Sequence, residues 1–247
     1  MIIKLLCFIL LIIYVYRCLK KNVSIDFKPD IIISPGGYNG FYQLGVCHYI
    51  KNNFEFSTKK ILGFSSGSWA GLFMSLHNKH SNECIKNIFK QIDKCCPLPN
   101  MPGIFQNAID KYNYSDFNID KLHIGVTNVH STTIEIHNQF LTIKDCTDCC
   151  IGSSFVPYVT YKDLFYFYKH KCVVDGGVYY KKYCDQIDEN KILVINYKIF
   201  RPHFNKSKKL FVNFRKPKRS LYQLYLLGYK NAQLNHDYLQ RYFHSVS

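Results

Sequence analysis

Acidic residues, alanine and linkers are what this sequence has least of. Seventeen Asp and Glu stand against thirty-two Lys and Arg in 247 residues, a formal net charge of +15. Such an excess draws a protein to anionic partners, whether membrane surfaces, nucleic acids or phosphorylated compounds, and does not choose among them. No long Pro/Gly/Ser stretch divides the chain and no internal repeat occurs, so one core with appendages is expected. With 47% hydrophobic and 20% charged residues, disordered, collagen-like and polytopic membrane proteins are excluded. The eleven cysteines are odd in number and scattered, not the dense framework of a small secreted domain, and they fit free thiols in a reducing compartment. Cys146, Cys149 and Cys150 have no second CxxC or HxxxH at finger spacing to complete a zinc set, and Cys95-Cys96 is a poor chelating pair, so no metal is expected.

The N-terminus is different in character. Leu5 to Tyr16 is unbroken apolar sequence between Lys4 and Arg17. Twelve residues fall short of the ~20 that cross a bilayer, but Lys4 and Arg17 can snorkel and extend the span from Ile2 to Leu19. Signal-peptide cleavage needs small residues after the apolar run, and no alanine occurs before Ala70, so residues 1–21 read as an uncleaved anchor ahead of a cleaved signal or a buried helix. Arg17, Lys20, Lys21 and Lys28 follow the segment, which by the positive-inside rule leaves the main domain cytoplasmic. A second unusual stretch, 198–219, holds nine Lys/Arg interleaved with Phe200, Phe204, Phe211 and Phe214. It reads either as a solvated edge and loop or as a surface for anionic lipid headgroups, with nucleic acid less favoured.

Between these, short apolar runs alternate with helix-period stretches. Ile31-Ile32-Ile33 is a strand, and Phe41, Leu44, Cys47 and Ile50 then mark one face of a helix ending near Asn52-Asn53. Ile61 to Phe64 is the next strand, followed by a helix with Trp69, Leu72, Phe73 and Leu76 on one side. Lys94 to Gly103, with three prolines, reads as a surface loop. Alternation at Leu122, Ile124 and Val126 and at Ile134 and Ile136 predicts two half-buried strands, and Cys172 to Val174 and Ile192 to Ile195 two more. The class is α/β with a mainly parallel sheet, residues 28–232 forming the domain and 233–247 a tail.

Three motifs fall at strand ends. Gly63-Phe64-Ser65-Ser66-Gly67 fits G-x-S-x-G between a strand and an amphipathic helix, where a serine is held on a strained turn and a Cβ at Gly63 or Gly67 would collide with the neighbouring strand or helix. Gly36-Gly37-Tyr38-Asn39-Gly40 closes a strand and opens a helix, exposing backbone amides at the positive end of a helix dipole. It is either a phosphate loop or an oxyanion hole, and neither G-x-G-x-x-G nor a Walker motif is present. Asp175-Gly176-Gly177 ends another strand and is either a carboxylate delivered to a site or an ordinary turn.

Taken in order, these motifs resemble the patatin-like phospholipase family: a glycine-rich loop at Ser34 to Gly40 followed by Phe41 to Val46, a nucleophile elbow at Gly63 to Gly67, and Asp175-Gly176-Gly177. Ile151 to Pro157 is similar to that family's small-residue stretch ending in Pro, and Gly228 to Ala232 to its late helix. Pro35 and Asn39 depart from its common pattern. The resemblance covers roughly Asp30 to Ala232 and implies a three-layer fold, a central, mainly parallel sheet flanked by helices. It also implies a Ser65–Asp175 dyad without histidine, backbone amides of Gly36, Gly37 and Tyr38 as oxyanion donors, and no cofactor.

The expectation is therefore a membrane-associated acyl hydrolase cleaving phospholipid, lysophospholipid or neutral glycerolipid, its pocket walled in part by Pro97 to Pro102 and by the aromatic run Leu164 to Tyr168. Its partners would be the lipid substrate and an anionic membrane, with no nucleic acid; headgroup, transacylation and oligomeric state stay open. Two alternatives remain: an α/β-hydrolase triad using His203, His236 or His244, and a basic membrane-binding protein on a silent scaffold.

Overall fold

Three consecutive isoleucines cannot share one face of a strand, and the strand they form is buried on both faces. In the computed structural model, which describes residues 27–92, 97–187, 191–200 and 217–245, Ile31 and Ile33 join one cluster of core side chains and Ile32 another. The anchor segment 1–21, Cys95-Cys96, His203 and most of the basic stretch lie outside the described residues. Among the described residues no helix is long and apolar enough to cross a membrane.

Seven strands form one sheet: β1 (Ile31–Ile33), β2 (Ile61–Phe64), β3 (Leu122–Asn128), β4 (Thr133–His137), β5 (Tyr166–Tyr168), β6 (Lys171–Val174) and β7 (Leu193–Ile195). The order is β5-β6-β3-β2-β1-β7, with β4 on the other edge of β3. β7, β1, β2 and β3 are parallel, while β4 and β6 run antiparallel to β3. The central sheet is thus mostly parallel, with helices α1 (Gly40–Asn53), α2 (Ser66–Ser75), α3 (Ser81–Gln91), α4 (Met101–Ile109), α5 (Ile143–Ser153), α6 (Gly177–Cys184) and α7 (Leu221–Leu234) around it. Parallel strands demand cover on both faces, and the two core clusters supply it.

Two expectations change, and two features go beyond the sequence reading. β3 is buried at all seven positions, because it lies inside the sheet with partners on both edges and core on both faces. The sheet is mainly parallel as expected, and β6 is one of its antiparallel strands. The segment 97–103 is not a loop: a 3-10 turn over Leu98–Asn100 leads into α4, whose first turn holds Pro102, a position where a helix loses no internal hydrogen bond to proline. α1 is buried on nearly every side, because α7 packs over the face that periodicity alone leaves open.

Candidate active site

The edges of β3 explain how Ser65 and Asp175 meet. Ile124 and Gly125 pair with β2 on one edge and β4 on the other, while Thr127 and Asn128 pair with β4 and with β6. β6 therefore occupies the edge that β2 leaves after Phe64. The two strands point at each other along that edge, so the residues just past their C-terminal ends, Ser65 and Asp175, face one another. Ser65 Oγ donates to Asp175 Oδ2 at 2.6 Å. The antiparallel direction of β6 is what makes this contact.

Ser65 has φ 54° and ψ −126°, a left-handed conformation that costs a non-glycine residue about 1–3 kcal/mol and persists only where its surroundings enforce it. Here its N–H donates to Ser153 Oγ (2.9 Å), and its carbonyl accepts from the Ser68 amide (2.9 Å) and hydroxyl (2.6 Å). The flanking glycines are sterically required: a Cβ on Gly67 would lie 2.2 Å from the Ile33 carbonyl oxygen, and one on Gly63 2.5 Å from that of Gly67. Ser153 was visible in the sequence only as part of a small-residue run. It is fully buried and its hydroxyl donates to Gly125 O (2.7 Å), tying the elbow to β3. Ser153→Ala is expected to leave the Ser65 amide unpartnered and cost about 1–3 kcal/mol of stability, measurable by urea denaturation.

Asp175 is held from all sides. Its N–H donates to Phe155 O (2.8 Å), its carbonyl accepts from Thr127 Oγ1 (2.9 Å), and Oδ1 accepts from the Gly177 amide (2.6 Å). A Cβ on Gly176 would lie 2.0 Å from Gly125 O, so that glycine lets the turn close on β3. Asp175 is half-buried as a residue, but protein surrounds its carboxyl closely enough that desolvation pushes its pKa up to about 6, against the opposing hydrogen bonds from Ser65 and Gly177.

The loop Ser34 to Gly40 reaches the same place from β1. Gly37 takes φ 51° and opens the single turn Gly37–Asn39 that enters α1. Gln43, visible in the sequence only as part of the stretch Phe41 to Val46, anchors the loop from within: its buried amide donates to Ser34 O (2.9 Å), Ser34 Oγ (2.7 Å) and Ile195 O (3.3 Å). The amides of Gly36 and Gly37 make no hydrogen bond among the described residues. Gly37, Tyr38 and Gly40 line one pocket with Ser65, whereas Gly36 lies behind it, packed on Gln43 and Ser66.

The pocket is walled by Phe41, Leu44, Trp69, Leu98, Met101, Pro102, Phe105 and Val156. Trp69 Nε1 donates to Ser154 Oγ at 3.1 Å, which satisfies its one polar group. Of the stretch 97–102, Leu98, Met101 and Pro102 line this pocket. The aromatic run 164–168 does not: it forms the edge strand β5 and its approach, and Leu164, Phe165 and Phe167 are exposed, as is Tyr158. No described histidine lines the pocket. His236 stacks on Phe54 at 4.7 Å and bonds to Tyr49 Oη, and His244 pairs in a short strand with Glu55. Cys146, Cys149 and Cys150 are buried free thiols on α5.

Compared with models of protein families and with curated proteins, the chain matches none.

Proposed function

We propose that the chain is a patatin-like serine acyl hydrolase that cleaves the acyl ester of a phospholipid, lysophospholipid or neutral glycerolipid at a Ser65–Asp175 dyad. The observation that carries this reading is the 2.6 Å hydrogen bond from Ser65 Oγ to a desolvated carboxylate, on a strained elbow at the floor of an apolar pocket.

In this mechanism Ser65 Oγ attacks the acyl carbonyl while Asp175 Oδ2 accepts its proton, with Oδ1 kept in place by the Gly177 amide. The negative oxygen of the tetrahedral intermediate is met by backbone amides of the glycine loop, a group of donors each worth about 3 kcal/mol to the transition state. Asp175 returns the proton to the departing alcohol. Water then adds to the acyl-serine, giving its proton to Asp175, and the fatty acid leaves as Ser65 is regenerated. Neither step calls for histidine, metal or cofactor. The apolar walls suit an acyl chain, and the exposed Tyr158, Leu164, Phe165 and Phe167 suit contact with a lipid surface. The same reading takes residues 1–21 as an anchor, the membrane surface as anionic and the domain as cytoplasmic.

The test is labelling of the protein by a fluorescent fluorophosphonate, with fatty-acid release from lysophospholipid followed in parallel. Ser65→Ala should abolish labelling and lower hydrolysis by about 10⁴-fold or more. A folded wild type that takes no label would leave only the silent-scaffold alternative.

A further inference from the structure

β7, β1 and β2 are parallel neighbours, so their first residues share one end of the sheet and their last residues the other. The glycine loop follows β1 and Ser65 follows β2, which puts the active site at the C-terminal end. At the opposite end, Asp30 precedes β1, Lys59 precedes β2 and Lys191 precedes β7. These three residues, with Tyr238, Arg241 and Tyr242, line a cavity of about 600 Å³, a size that accommodates small molecules.

The charge in this cavity is unbalanced. Among the described residues Asp30 is its one carboxylate, and both oxygens are engaged: Oδ2 accepts from the Lys60 amide at 2.8 Å, and Oδ1 lies 3.7 Å from Lys59 Nζ. Lys191 and Arg241 have no ion pair among the described residues. The Arg241 guanidinium is carried over the Tyr238 ring at 5.6 Å, and that ring is buttressed edge-on by Phe200 and by a 3.4 Å contact between the Tyr238 and Tyr242 hydroxyls. A planar fork on an aromatic support, in a concavity also lined by two lysines, matches an anion with several oxygens.

We infer that this cavity binds a phosphate-bearing anion, at a site separate from the serine and independent of whether the serine is active. Phosphate chemistry fits better than a single carboxylate because three cations converge where one charge is already neutralised. The source is either a soluble polyphosphate or the phosphate of a lipid headgroup.

Calorimetric titration of the full chain with sodium pyrophosphate tests this, using wild type, Lys191→Gln, Arg241→Gln and the double variant. Lys191 and Arg241 are exposed, so both substitutions should be tolerated by the fold, which circular dichroism verifies. Saturable one-site binding is expected, weakened about tenfold or more by each substitution and lost in the double variant. Ser65→Ala should bind like wild type. Flotation with phosphatidylcholine vesicles, with and without phosphatidic acid, separates the sources: capture that needs phosphatidic acid and both cations assigns the headgroup, while pyrophosphate binding without such capture assigns a soluble ligand. Absence of both kinds of binding in wild type, equal binding by the double variant, or loss of pyrophosphate binding in Ser65→Ala overturns the inference.

Discussion

Asp175→Asn should slow acyl transfer by about 10²–10⁴-fold, the usual contribution of a general base, and in the same protein raise the melting temperature. The two effects share one cause. Desolvation lifts the folded-state pKa of Asp175 to about 6, above the 3.8 of a free aspartate, so the ionised carboxylate that the proposed mechanism needs is one the fold resists. Below pH ~4 the group is neutral in both states and costs nothing. As pH rises from about 4 to 6 the unfolded chain ionises and the folded one does not, and stability falls; above 6 the penalty is fully present, on the order of 3 kcal/mol at most. Asparagine removes that charge while still accepting from Gly177 and facing Ser65. A net gain of about 1–2 kcal/mol would raise the melting temperature by about 2–8 °C at pH 7 and erase the pH dependence between 4 and 6. In wild type, kcat/KM should climb with pH through about 6 and then level off. A variant that is inactive but less stable than wild type at pH 7 would contradict this account of the dyad, as would a rate that does not change across pH 6.

The second large effect belongs to a helix crossing remote from the chemistry. A Cβ at Gly45 of α1 would lie 2.0 Å from the Tyr225 carbonyl oxygen of α7, and one at Gly228 of α7 2.0 Å from that of Tyr42. The obstacle in each case is backbone, so no side chain can swing away and the helices must separate. Separation would also strain the His48 Nδ1 to Tyr225 Oη contact and the 3.1 Å bond from Asn231 Nδ2 to Tyr42 Oη. Gly45→Ala and Gly228→Ala should each cost about 1–3 kcal/mol or more in chemical denaturation. The double variant should cost less than their sum, because one widening of the crossing relieves both clashes. Since α1 begins at Gly40, the last residue of the glycine loop, activity should fall along with stability. Gly103 is the contrast: in α4, with nothing within 4 Å of its added Cβ, Gly103→Ala should stabilise by about 0.5–1 kcal/mol. Gly45 and Gly103 are indistinguishable by residue type, and only the approach of a second backbone gives their substitutions opposite signs.

Much of the candidate site was legible because its geometry is written in local constraints. A serine between two close-packed glycines at a strand-to-helix turn has few other conformations, and Ser65 takes the strained one that the pattern implies. The turn after Ile33 and the carboxylate after Val174 were legible for the same reason, since Ser-Pro-Gly-Gly and Asp-Gly-Gly after a short apolar run favour a turn where the strand ends. Ser153, Thr127 and Gln43 were not. Each is an ordinary polar residue in its own segment, and its role is to satisfy a backbone group from another part of the chain, 88 residues away for Ser153, 48 for Thr127 and up to 152 for Gln43. The aromatic run 164–168 misled for a related reason: apolar composition marks surface that can be buried without saying what buries it, and here an edge strand leaves part of it exposed.

By itself the sequence determined the α/β class, the elements that carry the three motifs, and the strained elbow, since these follow from periodicity, glycine placement and turn chemistry within a few residues of one another. The tertiary structure alone decided that β6 runs antiparallel into the edge vacated by β2, that α7 seals α1, and that three cations gather at the far end of the sheet. Strand direction and edge choice are set by which apolar faces can be covered at once, a condition on the whole chain that no local stretch contains.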